Sequence, residues 1–240
     1  MTSVQNKARR VLLKLSGEAL GGAAGFGIEP EILQEKAQVI ADLTRRGVQC
    51  AIVLGGGNIF RGAALQKAGL DRVVGDEMGM LATIMNGLAM KDAILREGVG
   101  CVLMSTYGIP SMTVQYQAAL GREILAQGQV LIASGGTGSP FFTTDTTAVL
   151  RAIELNCDEV FKGTKVDGIY DADPVTHPEA KLYKHLTYKQ ALVQELQVMD
   201  LTAFALARDH QMKIRVFNMN KEGALLNAAL GQDEGTLVTN

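Results

Sequence analysis

Apolar and polar positions change their period repeatedly along this chain of 240 residues. Short apolar runs, including Val11–Leu15, Gln49–Leu54, Gly100–Met104 and Val130–Ala133, are bounded by glycine or polar residues and read as strands buried on both faces. Between them the apolar residues recur at helical spacing. Pro30 opens a helix with Ile32, Leu33, Ala37, Ile40 and Leu43 on one face. A long helix begins near Asp76 and carries Met78, Leu81, Ala82, Met85, Leu88 and Ala89. Further helices are predicted over Val114–Gln127, Thr146–Ile153, about Asp200–His210 and Glu222–Leu230, and further strands over Glu159–Lys162, Lys213–Phe217 and Thr236–Val238. Alternation of this kind predicts an α/β fold, a three-layer αβα sandwich around a mainly parallel sheet. The polar stretch Gly163–Glu179, rich in Asp, Gly and Pro, reads as a functional loop or hairpin. With no internal repeat and no linker, one domain spans 1–240.

Chemistry concentrates where strands end. Val130–Ala133 runs into Gly135-Gly136-Thr137-Gly138-Ser139-Pro140-Phe141-Phe142-Thr143-Thr144-Asp145 and then into a helix. The carboxyl ends of strands in a parallel sheet are where ligands bind, and amides at a helix start favour anions. Read alone, the segment is equally a tight turn and an N-cap. Two more strand ends change this. Val11–Leu13, Lys14 and Leu15 lead into Ser16-Gly17-Glu18, and Ala51–Leu54 leads into Gly55-Gly56-Gly57-Asn58 with Arg61 just beyond. Successive amides form anion nests, and a lysine and an arginine supply charge for phosphate. Three such ends point to a phosphate-rich ligand. Neither G-x-x-x-x-G-K-[ST] nor G-x-G-x-x-G is present, so a nucleotide would be held by several loops rather than by a P-loop or a dinucleotide fingerprint.

Composition narrows the class. Hydrophobic residues make up 47% of the chain and the formal net charge is −2, which suits a well-filled core and argues against a nucleic-acid surface. No apolar run is long enough to span a membrane, and the polar start lacks the apolar centre of a signal peptide. Cys50, Cys101 and Cys157 sit apart in apolar segments, as in a reduced cytoplasmic protein. The three histidines have no metal-ligand spacing. Met78, Met80, Met85 and Met90 read as core or subunit-contact residues.

The sequence resembles the amino-acid kinase superfamily, through Lys14–Glu18, Gly55–Asn58 with Arg61, and Phe142–Asp145. Within it the chain is most similar to the bacterial UMP kinases, through Arg72–Asp76 with Met78–Thr83, Asn86–Met90, the Gly-Thr-Gly run, and Thr164–Pro174. Ser139 stands where those enzymes commonly carry Asn. The resemblance covers essentially the whole chain. It implies an acceptor lobe of about 1–155 and an ATP lobe of about 156–240. It implies that Lys14, with Asp145 and Arg61, serves catalysis, and that Leu15, Ser16, Gly17, Gly57 and Arg61 also hold ATP phosphates. Thr164, Tyr170 and Asp173 would line the adenosine pocket. Gly56 and Asp76 would face UMP, with Asp76 on the ribose hydroxyls, and Thr137, Gly138, Ser139, Pro140, Phe141, Phe142, Thr143 and Thr144 would wrap uracil and the acceptor phosphate. Asp145 would help place Mg²⁺ and orient Lys14. Members are commonly homohexamers, and some respond to GTP and UTP; the Gly22–Gly27 loop matches a region linked to GTP.

The expected reaction is ATP- and Mg²⁺-dependent phosphorylation of UMP to UDP. An acceptor phosphate has a second pKa near 6 and is ionised at neutral pH, so no general base is needed. A kinase acting on a carboxylate also needs none; Asp76 separates the two, since it would repel an acidic acceptor and welcome a ribose diol. A nucleotide-binding protein without turnover is the third reading, and it leaves no reason to keep both Lys14 and Asp145.

Overall fold

A computed structural model describes residues 9–22, 25–60, 62, 69–194, 196 and 199–240. Its centre is strand β1 (Arg10–Leu15), with β2 (Gln49–Leu54) on one side and β6 (Glu159–Thr164) on the other, both parallel to it. Beyond β2 lie β5 (Val130–Ser134), β3 (Cys101–Ser105) and the short β4 (Val114–Gln115). Beyond β6 lie β10 (Lys213–Asn218), β11 (Thr236–Thr239) and β9 (His185–Thr187). These form one nine-stranded sheet, in which β11 runs antiparallel to β10. A separate antiparallel pair, β7 (Ile169–Tyr170) with β8 (Leu182–Tyr183), makes a hairpin of the polar stretch. The sheet order reverses direction at β1, so the crevice at its carboxyl end is the place where an open parallel sheet receives ligands.

Strand periodicity sets which side each residue serves. Val11, Leu13 and Leu15 of β1 pack into one core with Leu33, Ala37, Ile40 and Leu43 of α1 (Pro30–Arg45), and with Met90, Ala93 and Ile94 of α2 (Arg72–Arg96). Leu12 packs into the other core with Ile124 and Leu125 of α3 (Ala118–Ala126) and Ala148, Val149 and Ala152 of α4 (Thr144–Glu154). Phe204 and Ala207 of the helix Leu201–Asp209 join that second core. Lys14 shares the parity of Leu12, and Lys162 that of Val160, so both lysines leave the sheet on the α4 side.

The α/β sandwich expected from the sequence is the fold observed, with differences at particular elements. The long helix starts at Arg72, four residues before Asp76, because Asp71 accepts the Val73 and Val74 amides and caps it there. The segment expected as a helix from Val114 begins with strand β4, which pairs Val114 with Met104, and turns helical only at Ala118. The β9 strand and the following helix Tyr188–Val193, started by a Thr187–Gln190 capping box, were not visible in the periodicity. Among the described residues no helix is long and apolar enough to cross a membrane. The three cysteines are buried, and burial pushes each thiol up to about 12.

Candidate active site

Three charged side chains meet at the carboxyl ends of β1 and β6. Lys14 and Lys162 are register partners on these neighbouring parallel strands. Lys14 Nζ lies 2.7 Å from Asp145 Oδ1, and Lys162 Nζ donates to Asp145 Oδ2 at 2.7 Å. Asp145 comes from the first turn of α4, where the Thr143 hydroxyl accepts the Asp145 and Thr146 amides and fixes the helix start. Burial works to raise the Asp145 pKa, but the two ammonium groups outweigh it and hold the carboxyl below its ordinary value. Lys162 moves down from the ordinary lysine value: burial is the leading cause, Asp145 opposes it, and Lys14 adds to it. Asp200, the N-cap of the helix Leu201–Asp209, accepts from the Thr146 hydroxyl at 2.9 Å and from the Thr143 hydroxyl, and so ties that helix to the start of α4.

The two glycine-rich turns beside this cluster interlock. A side chain on Gly17 would meet Gly57 N at 2.7 Å and Gly55 O at 2.8 Å, and one on Gly55 would meet Gly17 N at 2.8 Å. Only backbone fits between them. Behind the turns, Asn58 and Asn86, both fully buried, exchange amide bonds of 3.0 and 2.7 Å, and Asn86 also donates to Gly55 O at 2.7 Å. Gly56 lies against α2, where a Cβ would meet Gly79 O at 2.8 Å. Ser16 precedes the short 3-10 helix Gly17–Leu20, whereas the Leu15 side chain points into the core and leaves only its main chain at the site. Arg61 lies outside the described residues.

A cavity of about 310 Å³ opens on one side, lined by Gly56, Gly57, Asp76, Gly136, Thr137, Ser139, Phe142, Thr143 and Thr144. Asp76 is engaged within the chain: its Oδ2 accepts from Arg72 Nε and from the Phe141 amide, each at 2.8 Å. Phe141 holds φ at +71° to make that bond, an uncommon conformation for a non-glycine residue. The Gly135 amide donates to the Thr83 hydroxyl at 2.8 Å, and the Ser139 amide to the Thr137 hydroxyl at 3.2 Å. Gly138, Pro140 and Phe141 shape this loop without being among the cavity's lining residues.

A second cavity of about 550 Å³ is lined by Lys162, Thr164, Gly168, Tyr170, Asp173, Gln194, Leu196 and Val216, among others. The Thr164 hydroxyl donates to Val166 O at 2.7 Å, and Asp173 accepts the Val175 amide at 2.9 Å, which shapes the turn beside Tyr170.

The structure therefore groups Gly56, Asp76, Thr137, Ser139, Phe142, Thr143 and Thr144 around one cavity, groups Thr164, Tyr170 and Asp173 around another, and brings Lys14 and Asp145 together between loops. Sequence reasoning missed Lys162 and Asp200. Lys162 repeats the Lys14 pattern, a lysine near the end of an apolar strand two positions after a core residue, and that signal was readable. Asp200 could be read only as a helix cap.

The donor set bears on Mg²⁺. No group of three or more His, Cys, Asp or Glu side chains placed to hold a metal occurs among the described residues. Both oxygens of Asp145, the carboxylate expected to help place the ion, face ammonium groups. These residues do not fit a metal held by protein ligands; a hard cation here would draw its oxygens from phosphates and water.

Comparison with known proteins gives the family. Residues 9–218 match the model of the Amino acid kinase family. The chain is 56% identical over 237 residues to the uridylate kinase of Psychromonas ingrahamii, covering 99% of this chain and 95% of that one. It is 56% identical over 231 residues to the uridylate kinase of Vibrio cholerae, covering 96% and 95%. Its fold superposes on the crystal structure of UMP kinase from Bacillus anthracis with a TM-score of 0.93 at 35% identity, covering 96% of each chain. The chain belongs to the amino acid kinase family and, within it, stands with the uridylate kinases.

Proposed function

We propose that this protein is a nucleoside monophosphate kinase that transfers the γ-phosphoryl group of ATP to the phosphate of UMP. The identity to uridylate kinases over almost the whole chain supports the acceptor. The observation that carries the chemistry is the Lys14–Asp145–Lys162 cluster: Lys162 lines the second cavity, and Asp145 directly follows Thr144, which lines the first. In this reading UMP occupies the first cavity and ATP the second, which divides the chain into an acceptor lobe of about 1–155 and an ATP lobe of about 156–240.

An ionised oxygen of the UMP phosphate forms the new bond to the γ-phosphorus, the bond from that phosphorus to the β-bridging oxygen breaks, and ADP leaves with the electron pair. No proton has to be removed, since the acceptor is already a dianion for the most part near pH 7. Catalysis is then alignment and charge neutralisation. Lys14 and Lys162 face the transferring group from adjacent strands. Asp145 holds both ammonium groups. Amides of Gly17, Gly56 and Gly57 bind phosphate oxygens, Asp76 takes the UMP ribose, the 137–144 loop takes uracil, and Thr164, Tyr170 and Asp173 take the adenosine. Mg²⁺ entering with ATP would supply further neutralisation of its phosphates. The enzyme acts in the cytoplasm as a homohexamer, with the apolar outer face of α2 against another subunit.

A coupled assay of ADP release with ATP and Mg²⁺ against UMP, CMP and acetylglutamate tests this reading. Turnover with UMP is expected, and turnover with acetylglutamate in its place refutes it.

A further inference from the structure

We infer that Arg151 is a positioning residue for the acceptor loop, acting through the Gly136 carbonyl. Arg151 lies on α4, one helix turn and more past Asp145, and is buried at 5% exposure. Its Nη2 donates to Gly136 O at 3.2 Å, and its Nη1 pairs with Glu154 Oε2 at 2.7 Å. Its guanidinium carbon lies over the Tyr116 ring, 4.0 Å from the centroid. The Tyr116 hydroxyl donates to the same Glu154 oxygen at 2.8 Å, and Arg122 donates to the Glu154 carbonyl at 2.6 Å. The guanidinium is thus held on one side by a carboxylate, on its face by an aromatic ring, and presents its remaining edge to the loop.

The loop needs such a holder. Gly135 and Gly136 adopt φ of +77° and +62°, a region glycine enters at little cost and leaves as readily. Fixed geometry there must come from outside the loop. Gly135 receives it from the Thr83 hydroxyl at its amide and from the Thr106 hydroxyl, which donates to its carbonyl at 2.5 Å. Phe141 receives it from Asp76. Arg151 supplies it to Gly136, a residue that lines the first cavity. A buried charge with a complete set of partners is costly to assemble and rigid once assembled. None of Gly136, Glu154, Tyr116 and Arg122 is among the second cavity's lining residues, so loss of Arg151 should act on the acceptor side.

The inference rests on the reading of the first cavity as the acceptor site, and the test separates the two. KM for UMP, KM for ATP and kcat are measured for the wild type, Arg151→Met, Arg151→Lys and Tyr116→Phe. Loss of one charge-assisted bond to the loop is expected to raise the acceptor KM about tenfold in Arg151→Met, with the ATP KM within about twofold. Arg151→Lys keeps the charge without the planar fork and should recover part of that loss. Tyr116→Phe keeps the ring against Arg151 but removes the hydroxyl's bond to Glu154, the carboxylate that pairs with Arg151, and should raise the acceptor KM about threefold. Equal changes in both KM values, or an unchanged acceptor KM in Tyr116→Phe and Arg151→Met, overturn the inference. A wild type that uses another acceptor refutes the UMP reading instead, and the same split then applies to that acceptor.

Discussion

Lys14 and Lys162 sit opposite each other on β1 and β6, and their ammonium groups grip the two oxygens of one carboxylate, Asp145, at 2.7 Å each. The register makes this unavoidable: two lysines of the same parity at adjacent strand ends would repel without a shared counter-charge. Each is expected to matter to the chemical step. Lys14→Met and Lys162→Met should each lower kcat by on the order of 10²–10³ while the UMP KM changes little, the scale of losing one preorganised donor at developing charge. Steady-state kinetics decides it, and retention of more than about a tenth of the wild-type rate removes that lysine from the mechanism.

The same cluster fixes the sign of a pH effect. Lys162 titrates below the ordinary lysine value because of burial, and Asp145 pulls it back upward. Replacing Asp145 by Asn removes the upward pull, so the alkaline limb of the kcat profile should move to lower pH. An unmoved limb in Asp145→Asn shows that Lys162 does not control it. Stability follows the carboxyl: the folded pKa of Asp145 is depressed, so its contribution is present above the unfolded value of about 3.9 and is lost as pH falls through the lower folded value. Acid unfolding of the wild type below about pH 4 should therefore be steeper than that of Asp145→Asn.

Much of this was readable before the fold was known. The apolar runs ending at Leu15, Leu54 and Ala133 located strand ends, and the glycines after them located the turns. What was not readable is mostly pairing in space. Lys162 and Asp200 come from elements distant in sequence, and only the order β2-β1-β6 brings Lys162 beside Lys14. The start of α2 was misread because Val73 and Val74 fit a strand as well as a helix; the Asp71 side chain decides the matter locally. The methionines divide in a way that periodicity alone could not settle. Met80 and Met90 are buried, whereas Met78 and Met85 are 39% and 55% exposed.

Asp76 is not the cap of α2; it lines the first cavity while its carboxylate accepts from Arg72 and from the Phe141 amide. Asp76→Asn should weaken UMP by about 1.5–3 kcal/mol, the worth of charge-assisted bonds to a ribose diol, and leave ATP almost unchanged. Titration calorimetry with each nucleotide separates the outcomes. An equal loss for ATP would mean that the Arg72 and Phe141 contacts of Asp76 are its whole purpose.

Val74, Met78, Leu81 and Met85 leave an apolar strip exposed along α2, with Leu81 at 50% exposure. A two-fold contact would set this helix against its mate in a second subunit. Leu81→Glu with Met85→Glu should then break the oligomer without unfolding the subunit, because the new charges are buried only in the assembly. Light scattering after size exclusion reads the mass, with circular dichroism as the check on folding. An unchanged mass places the contact elsewhere.

The loop from Gly135 to Phe141 gives the last expectation, which concerns the base. Uracil and cytosine differ at one edge, where a carbonyl and an N3–H stand in place of an exocyclic amine and a bare nitrogen. Hydroxyls can swap donor for acceptor by rotation, so they discriminate poorly; main-chain groups cannot. Here the Thr137 hydroxyl is committed inside the loop, bonded to both the amide and the carbonyl of Ser139. The backbone is pinned by Thr83, Thr106, Arg151 and Asp76. A rigid frame of fixed donors and acceptors rejects a mismatched edge because its own groups are left unpaired. UMP should exceed CMP by at least about 10²-fold in kcat/KM, the scale of one or two unpaired polar groups. Thr83→Val, which frees the Gly135 amide, should narrow that ratio by lowering the UMP value more than the CMP value. Comparable turnover of both nucleotides by the wild type would make the loop a general pyrimidine clamp, its pinned backbone serving the phosphate rather than the base.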